Sequence, residues 1–339
     1  MQKIDWDNLT FRLTPAKTMY VAKTGADQDW RWGEFVPFGP IPISPAAGVL
    51  NYGQGILEGL KAFRNARGGI ALFRPQENAI RFSRGAARLC IPPVSVEHFV
   101  EVMVELVRHN RDYVPPFGKG SLYLRPCLWG TGEILGMAPA PEYTFAAFGS
   151  PVGNYFKGGD IAPVKFEVCD TFHRSAARGI GSTKYIGNYA PTLLPTAQAK
   201  ERGFAGSIYL DAIHEKYVEE AGVANFFCVK EGKLLTPQLS ESILSGVIRA
   251  SIIQLAREVL NIDVVEMQLP LETALQADEC FCSGTATVVT PIGSITFKEQ
   301  ETVFNQFNTG PITRQIYDLL TQFQLGLIED RFEWLVNVE

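Results

Sequence analysis

Ser182-Thr183-Lys184-Tyr185-Ile186-Gly187-Asn188-Tyr189 is the stretch on which the reading of this 339-residue chain turns. It sets one lysine in a turn of small residues, with a phenol following at Tyr189. Further on, Glu219-Glu220-Ala221-Gly222-Val223-Ala224-Asn225 places a carboxylate just before a glycine and an asparagine. An amine, a phenol and a carboxylate are groups that hold pyridoxal phosphate. The lysine joins the cofactor covalently, the carboxylate keeps the ring nitrogen protonated, and the phenol bonds the ring oxygen. Taken singly these residues say little, because most lysines are solvated and Glu219 with Glu220 also reads as a charged edge.

A phosphate needs its own cradle. Ser245-Gly246-Val247-Ile248 stands at the expected start of a long helix. Unpaired backbone N–H groups there suit a phosphate dianion, and Gly246 permits close approach. A second turn, Ser283-Gly284-Thr285-Ala286-Thr287, follows a strand-like Glu279 to Cys282 and offers hydroxyls and successive N–H groups. In isolation the first also reads as an ordinary helix cap and the second as a glycine-containing loop.

Composition narrows the function classes. The chain is 46% hydrophobic and 20% charged, which suits a globular protein of about two domains. Its net charge is -5 and its basic residues do not cluster, which argues against a nucleic-acid partner or an anionic membrane surface. No run approaches the roughly 18 apolar residues of a membrane span. The six cysteines sit mostly among apolar neighbours and read as small buried hydrophobes. Cys280 and Cys282 would share a face of a strand, but their spacing fits neither a zinc knuckle nor a redox pair. With four histidines, no metal site is expected. Met1 to Asp7 shows neither a secretory nor a transit pattern, so the expected location is cytoplasmic.

The order of elements points to an α/β or α+β chain. Tyr52 to Phe63 has Ile56, Leu57, Leu60 and Phe63 at helical spacing and reads as a helix. Phe73-Arg74-Pro75 opens another, with Pro75 in its first turn. Ser95 caps a third, with Phe99, Val100, Met103, Val104 and Val107 apolar. Ser121 to Trp129 alternates as a strand, and Tyr143 to Phe148 reads as a second. The second half alternates strands, Ser207 to Asp211 and Asn225 to Val229, with helices, Ile243 to Leu260 and a last one through Ile312 and Phe323. The expected division is a smaller N-terminal domain at 1–150, a linker at 151–163 rich in turn formers, and a larger cofactor-binding domain at 164–339.

Taken together, the motifs resemble a family. Leu57-Glu58-Gly59-Leu60-Lys61-Ala62-Phe63, Phe73-Arg74-Pro75, Leu122-Tyr123-Leu124-Arg125-Pro126 and Lys184 before Asn188-Tyr189 follow in order. So do Glu220-Ala221-Gly222 before Asn225-Phe226, Ile243 to Arg249, and Gly284-Thr285-Ala286 before Pro291-Ile292-Gly293. Over about Tyr52 to Phe323 this is similar to the branched-chain aminotransferases of fold type IV.

The resemblance implies a two-domain fold with pyridoxal 5'-phosphate at the domain interface, acting as at least a homodimer. It implies reversible amino transfer from leucine, isoleucine and valine to 2-oxoglutarate, giving glutamate. Lys184, Tyr189 and Glu220 are implied as catalytic and cofactor-holding. Arg81 would clamp the phosphate, and Leu244 would pack on the ring. Gly246, Val247, Ile248 and Thr285 would complete the phosphate site. The turn at Gly284, Thr285 and Ala286 would receive the substrate α-carboxylate. Tyr52, Leu57, Tyr123 and Tyr155 would line the side-chain pocket, with Arg125 beside Tyr52 and Met137 reaching across a dimer interface.

Departures from the family pattern stand at Leu57, where Phe is common, at Val223 for Thr and at Ser245 for Pro. Thr287 and Thr290 stand where some animal members carry a redox cysteine pair. Other type IV activities remain as rivals, namely a D-amino-acid aminotransferase or an aminodeoxychorismate lyase. A noncatalytic cofactor-binding scaffold is a rival of another class.

Overall fold

The computed structural model describes residues 4–153 and 161–339. They divide into two compact units, each with its own sheet. The first holds residues 4–153 with Thr183–Gly187 and Gln322–Glu339; the second holds 161–182 and Asn188–Thr321.

In the first unit the strands run in the order Leu335–Val338, Ile70–Phe73, Leu60–Arg64, Ser121–Gly130, Glu142–Val152, Thr18–Gly25 and Glu34–Pro37. All these pairings are antiparallel. Alternation decides the two faces. Leu60, Ala62, Leu122 and Leu124 are buried in one cluster with Phe82 and Ala86 of the helix Pro75–Arg88 and Phe99, Val102 and Met103 of the helix Val96–His109. Lys61, Tyr123 and Arg125 fall on the opposite face, with Lys61 directly across from Tyr123. Both helices start as expected. Pro75 is the first helical residue after Arg74, and the Ser95 hydroxyl accepts from His98 N at 3.1 Å.

The expected helix from Tyr52 to Phe63 is not there. A short helix, Gly48–Tyr52, stops at Gly53, whose φ of 66° only glycine adopts readily. Strands Gly55–Leu57 and Leu60–Arg64 follow, both paired with Ser121–Gly130. The apolar spacing fits either structure over so short a run, and the long partner strand settles it. Between the two strands Glu58 N donates to Pro126 O at 2.8 Å. A Cβ on Gly59 would lie 2.0 Å from the Tyr123 hydroxyl oxygen, so that step needs a glycine.

The second unit has a mixed sheet. Ala224–Lys230, Glu279–Gly284, Val288–Phe297, Val164–Cys169, Gly206–Leu210 and Tyr217–Ala221 pair in that order. Tyr217–Ala221 also pairs with Ala224–Lys230, so these strands close into a ring. Phe226, Cys228, Ile208, Val218, Cys280, Cys282 and Ile292 form its core. Strands stand where the alternation placed them, at Gly206–Leu210 and Ala224–Lys230. The helix expected over Ile243 to Leu260 is shorter, Val247–Glu258, because Leu244 to Gly246 is held outside it by contacts described below. In the expected linker, Pro151 and Val152 end the strand Glu142–Val152, and residues 154–160, Tyr155 among them, lie outside the described residues. No helix among the described residues is long and apolar enough to cross a membrane.

The last helix, Pro311–Gln324, begins on a buried acid. Glu279 accepts from Ile312 N at 3.1 Å, Thr313 N at 2.8 Å and the Thr313 hydroxyl at 2.7 Å. A carboxylate here satisfies first-turn donors and meets the positive end of the helix. Glu279→Ala is expected to lower unfolding free energy by about 1–3 kcal/mol, read as a lower urea midpoint at constant slope. An unchanged midpoint would refute the capping role.

Candidate active site

The acid pair Glu219-Glu220 is not a charged edge. Both residues are buried, and the strand carries an irregularity between Val218, paired with Leu210, and Glu220, paired with Tyr209. A bulge of this kind re-aims side chains and is common beside functional sites. Glu219 accepts from the Ser242 hydroxyl, and burial raises its pKa. Glu220 is 3% exposed and accepts from Asn225 Nδ2 at 3.2 Å and Leu244 N at 3.3 Å. Arg174 Nε lies 2.5 Å from its other oxygen.

Asn225 works on both sides of this acid. Its Nδ2 also donates to Leu244 O at 2.8 Å, which pins the Leu244 to Gly246 stretch outside the helix. Its Oδ1 lies 2.0 Å from where a Cβ on Gly246 would stand, so a side chain at position 246 would collide with it. Gly246 is the extended N-cap of Val247–Glu258, and its carbonyl takes the first intrahelical bond, from Ala250 N at 3.0 Å. The first-turn N–H groups of Val247 and Ile248 therefore have no intrahelical acceptor.

The second turn joins strands Glu279–Gly284 and Val288–Phe297, with Gly284 paired to Val288. Thr285 and Ala286 lie in it, half-buried. The Ser283 and Thr287 hydroxyls are buried with no hydrogen-bond partner among the described residues. Val288 has φ 57°, a conformation a β-branched residue rarely takes. Strain of this kind gathers at functional sites. Orphaned buried hydroxyls beside a strained turn, with a glycine-capped helix start and a fixed carboxylate, fit a phosphate-bearing cofactor with a basic ring nitrogen.

In the first unit the strand Gly55–Leu57 holds the lysine segment. Leu57 N donates to Lys184 O at 3.1 Å, and Ile56 bridges to Tyr185. Beside it, Arg81 grips Glu58 with both ends of a fork, Nε to Oε1 at 2.7 Å and Nη2 to Oε2 at 2.8 Å. Burial pushes the Glu58 pKa up, but the Arg81 and Lys184 charges outweigh it and hold the acid below its usual range. Arg125 Nη2 donates to the Tyr123 hydroxyl at 3.0 Å, and its guanidinium lies 5.3 Å from the Tyr123 ring centre. Tyr52 donates to Leu135 O. Tyr189 is half-buried, and its carbonyl accepts from Thr192 N at 3.1 Å. Met137 is 92% exposed.

Sequence reasoning missed Arg174 as a partner of Glu220 and gave Glu58 no role of its own. Arg174 lies 46 residues before Glu220, with nothing in its neighbours to mark it. The acid beside Gly59 was visible in the motif, but its partners Arg81 and Asn78 come from a separate helix.

Comparison with known proteins gives one family. The model of amino-transferase class IV matches residues 55–295. A chloroplastic branched-chain-amino-acid aminotransferase of Arabidopsis thaliana is 48% identical over 338 residues, covering 100% of this chain and 81% of its own. A methionine aminotransferase of the same plant is 41% identical over 338 residues, 99% of this chain and 94% of its own. The crystal structure of a T.th. branched-chain amino acid aminotransferase with pyridoxamine 5'-phosphate matches with a TM-score of 0.82 at 26% identity. That match covers 96% of this chain and 99% of that one. The fold is the type IV fold the motifs implied.

The cytoplasmic expectation is corrected by these relatives. Several that match over almost the whole chain at 44–49% identity are named chloroplastic or mitochondrial.

The thiols are placed against redox regulation. Cys282 stands across from Thr290 and Cys280 across from Cys228. Burial pushes the Cys282 thiol up to about 12 and Cys280 well above its ordinary value. At pH 8 a pKa near 12 leaves about one thiol in ten thousand ionised, and the thiolate is the reactive form. Mild peroxide is expected to leave activity intact. Rapid loss reversed by dithiothreitol would refute this and point to the exposed Cys90.

Proposed function

The chain belongs to the class IV aminotransferases, and on that footing we propose that it exchanges an amino group between leucine, isoleucine or valine and 2-oxoglutarate. The carrying observation is 48% identity to a branched-chain enzyme over 100% of this chain; a buried Glu220 held by Asn225, Leu244 and Arg174 supports the reading of that acid as the partner of a ring nitrogen. The relative named as a methionine aminotransferase makes an unbranched thioether side chain the second substrate to test.

Bound pyridoxal phosphate supplies an electron sink for the electrons left when the substrate Cα loses its proton. Lys184 would hold the cofactor through its amine, and that amine, when free, would take the substrate Cα proton as general base and return a proton as general acid. Glu220 would accept from the ring N–H, with Arg174 holding that carboxylate in place. Tyr189 would orient the ring through its hydroxyl, and Leu244 would pack against it. Arg81, Gly246, the N–H groups of Val247 and Ile248, and Thr285 would hold the phosphate. Gly284, Thr285 and Ala286 would take the substrate α-carboxylate. Tyr52, Leu57 and Tyr123 would bound the side-chain pocket.

That pocket must accept both an isobutyl group and a charged propionate. An unpartnered buried carboxylate costs several kcal/mol, so a donor is needed that an apolar substrate does not leave orphaned. Arg125 meets both demands. Its guanidinium is retained by the Tyr123 hydroxyl and ring, and it can turn N–H groups to a carboxylate.

We also propose a homodimer. Leu135 and Met137 are 93% and 92% exposed in one short loop, next to the Tyr52 hydroxyl that holds Leu135 in place. Large apolar side chains presented this way suit an interface.

Borohydride should fix the cofactor to the peptide bearing Lys184, and Lys184→Ala should fold yet lose nearly all turnover. Fixation at Lys200 or Lys216 would sink the assignment. Arg125→Met should slow the glutamate half-reaction by about ten- to a hundredfold, the worth of a charged hydrogen bond of roughly 1.5–3 kcal/mol. The leucine half-reaction should fall less. Separate single-turnover measurements decide, and equal losses would make Arg125 structural.

A further inference from the structure

The acid beside Gly59 has a geometry that the reaction described above does not use. Glu58 is completely buried, in the step between strands Gly55–Leu57 and Leu60–Arg64. Four donors converge on it. Arg81 gives Nε and Nη2 at 2.7 and 2.8 Å, Asn78 gives Nδ2 at 2.8 Å, and Gly59 gives its backbone N–H at 3.1 Å. Asn78 and Arg81 are three apart on the helix Pro75–Arg88, so one carboxylate ties down one face of one turn. The same segment holds the lysine, because Leu57 N bonds Lys184 O.

We propose that Glu58 is a positioning residue that sets the Arg81 guanidinium to receive the cofactor phosphate. The proposal rests on the reading of Arg81 as a phosphate ligand. A guanidinium is a rigid planar fork. Glu58 occupies the edge formed by Nε and Nη2, and Nη1 lies outside that edge. With one edge fixed, the direction of the remaining N–H groups is fixed too, and little side-chain freedom is lost when an anion arrives.

Charge and position oppose one another here, which makes the idea decidable. A carboxylate beside Arg81 offsets its positive charge and, by Coulomb's law alone, weakens the attraction for a phosphate. If charge dominates, removing Glu58 tightens phosphate binding. If position dominates, removal loosens it, because an amide presents an N–H where Arg81 needs an acceptor.

The test compares pyridoxal phosphate with pyridoxal, which lacks the phosphate, on full-length protein stripped of cofactor. Binding is read by quenching of tryptophan fluorescence. Glu58→Gln should weaken pyridoxal phosphate by about ten- to a hundredfold and leave pyridoxal within about twofold. Arg81→Lys is the companion variant. If it too loses the phosphate preference, Arg81 is a phosphate ligand; if it does not, that reading fails and this one with it. With Arg81 upheld, equal or tighter pyridoxal phosphate binding by Glu58→Gln overturns the proposal. Parallel losses for both ligands also overturn it, since they mark a role in holding the Lys184 segment. Should Glu58→Gln not fold, Glu58→Asp keeps the charge but shortens the reach. It should lose phosphate preference in the same direction, and an unchanged preference overturns the proposal.

Discussion

An ionised carboxylate in a protein interior needs donors around it, and three of the four buried glutamates among the described residues organise this molecule. Glu58, Glu220 and Glu279 are each buried, and each is met by convergent N–H groups. The penalty for an unpaired buried charge is several kcal/mol, large against a typical stability of about 5–15 kcal/mol. Wherever such an acid stands, its neighbours are therefore fixed in number and direction. Glu279 fixes where the last helix begins. Glu220 fixes the stretch before the helix Val247–Glu258. Glu58 fixes the guanidinium of Arg81 next to the strand that holds the Lys184 segment.

The two arginine-paired acids differ in what they leave available. Glu58 has both oxygens on Arg81 and shares one of them with Asn78 and Gly59. Glu220 divides its oxygens between Arg174 on one side and Asn225 with Leu244 on the other. A carboxylate has about four lone-pair sites, so such an acid has room to accept from a ring N–H as well. The asymmetry matches the division of labour between an acid that positions a neighbour and one that meets a ligand.

Much of this was legible in the sequence, and what was not has a physical reason. Ser95 and Pro75 mark helix starts through local hydrogen bonding and a fixed dihedral, so they read correctly from a few residues. Ser121–Gly130 reads as a strand because its two faces meet different surroundings. Tyr52 to Phe63 misled because Ile56, Leu60 and Phe63 satisfy a helical period while Gly53 and the partner strand impose another. Gly246 stands at a helix start, as its turn suggested, while the strand Tyr217–Ala221 that carries Glu220 had no local signal. Arg174 and the role of Glu58 were hidden, since a donor that arrives from a distant segment leaves no period or spacing in the chain. The exposure of Met137 likewise became visible only with the loop around it in place.

Glu58 and Gly59 show how two adjacent residues serve two different parts of the first unit. Gly59 lacks the Cβ that would collide with the Tyr123 hydroxyl, so the phenol can settle against the backbone there. That hydroxyl accepts from Arg125, on the sheet face opposite the helices. One residue earlier, Glu58 faces the helix Pro75–Arg88 and holds Arg81. The step between two short strands thus fixes an aromatic wall on one side and a cation on the other. A side chain at position 59 would displace the phenol, and with it the acceptor that keeps Arg125 in place. Such a displacement strains the same backbone from which Glu58 reaches Arg81. The acid and the glycine are best understood as one unit, in which the absence of a side chain at one position lets the charge at the next do its work.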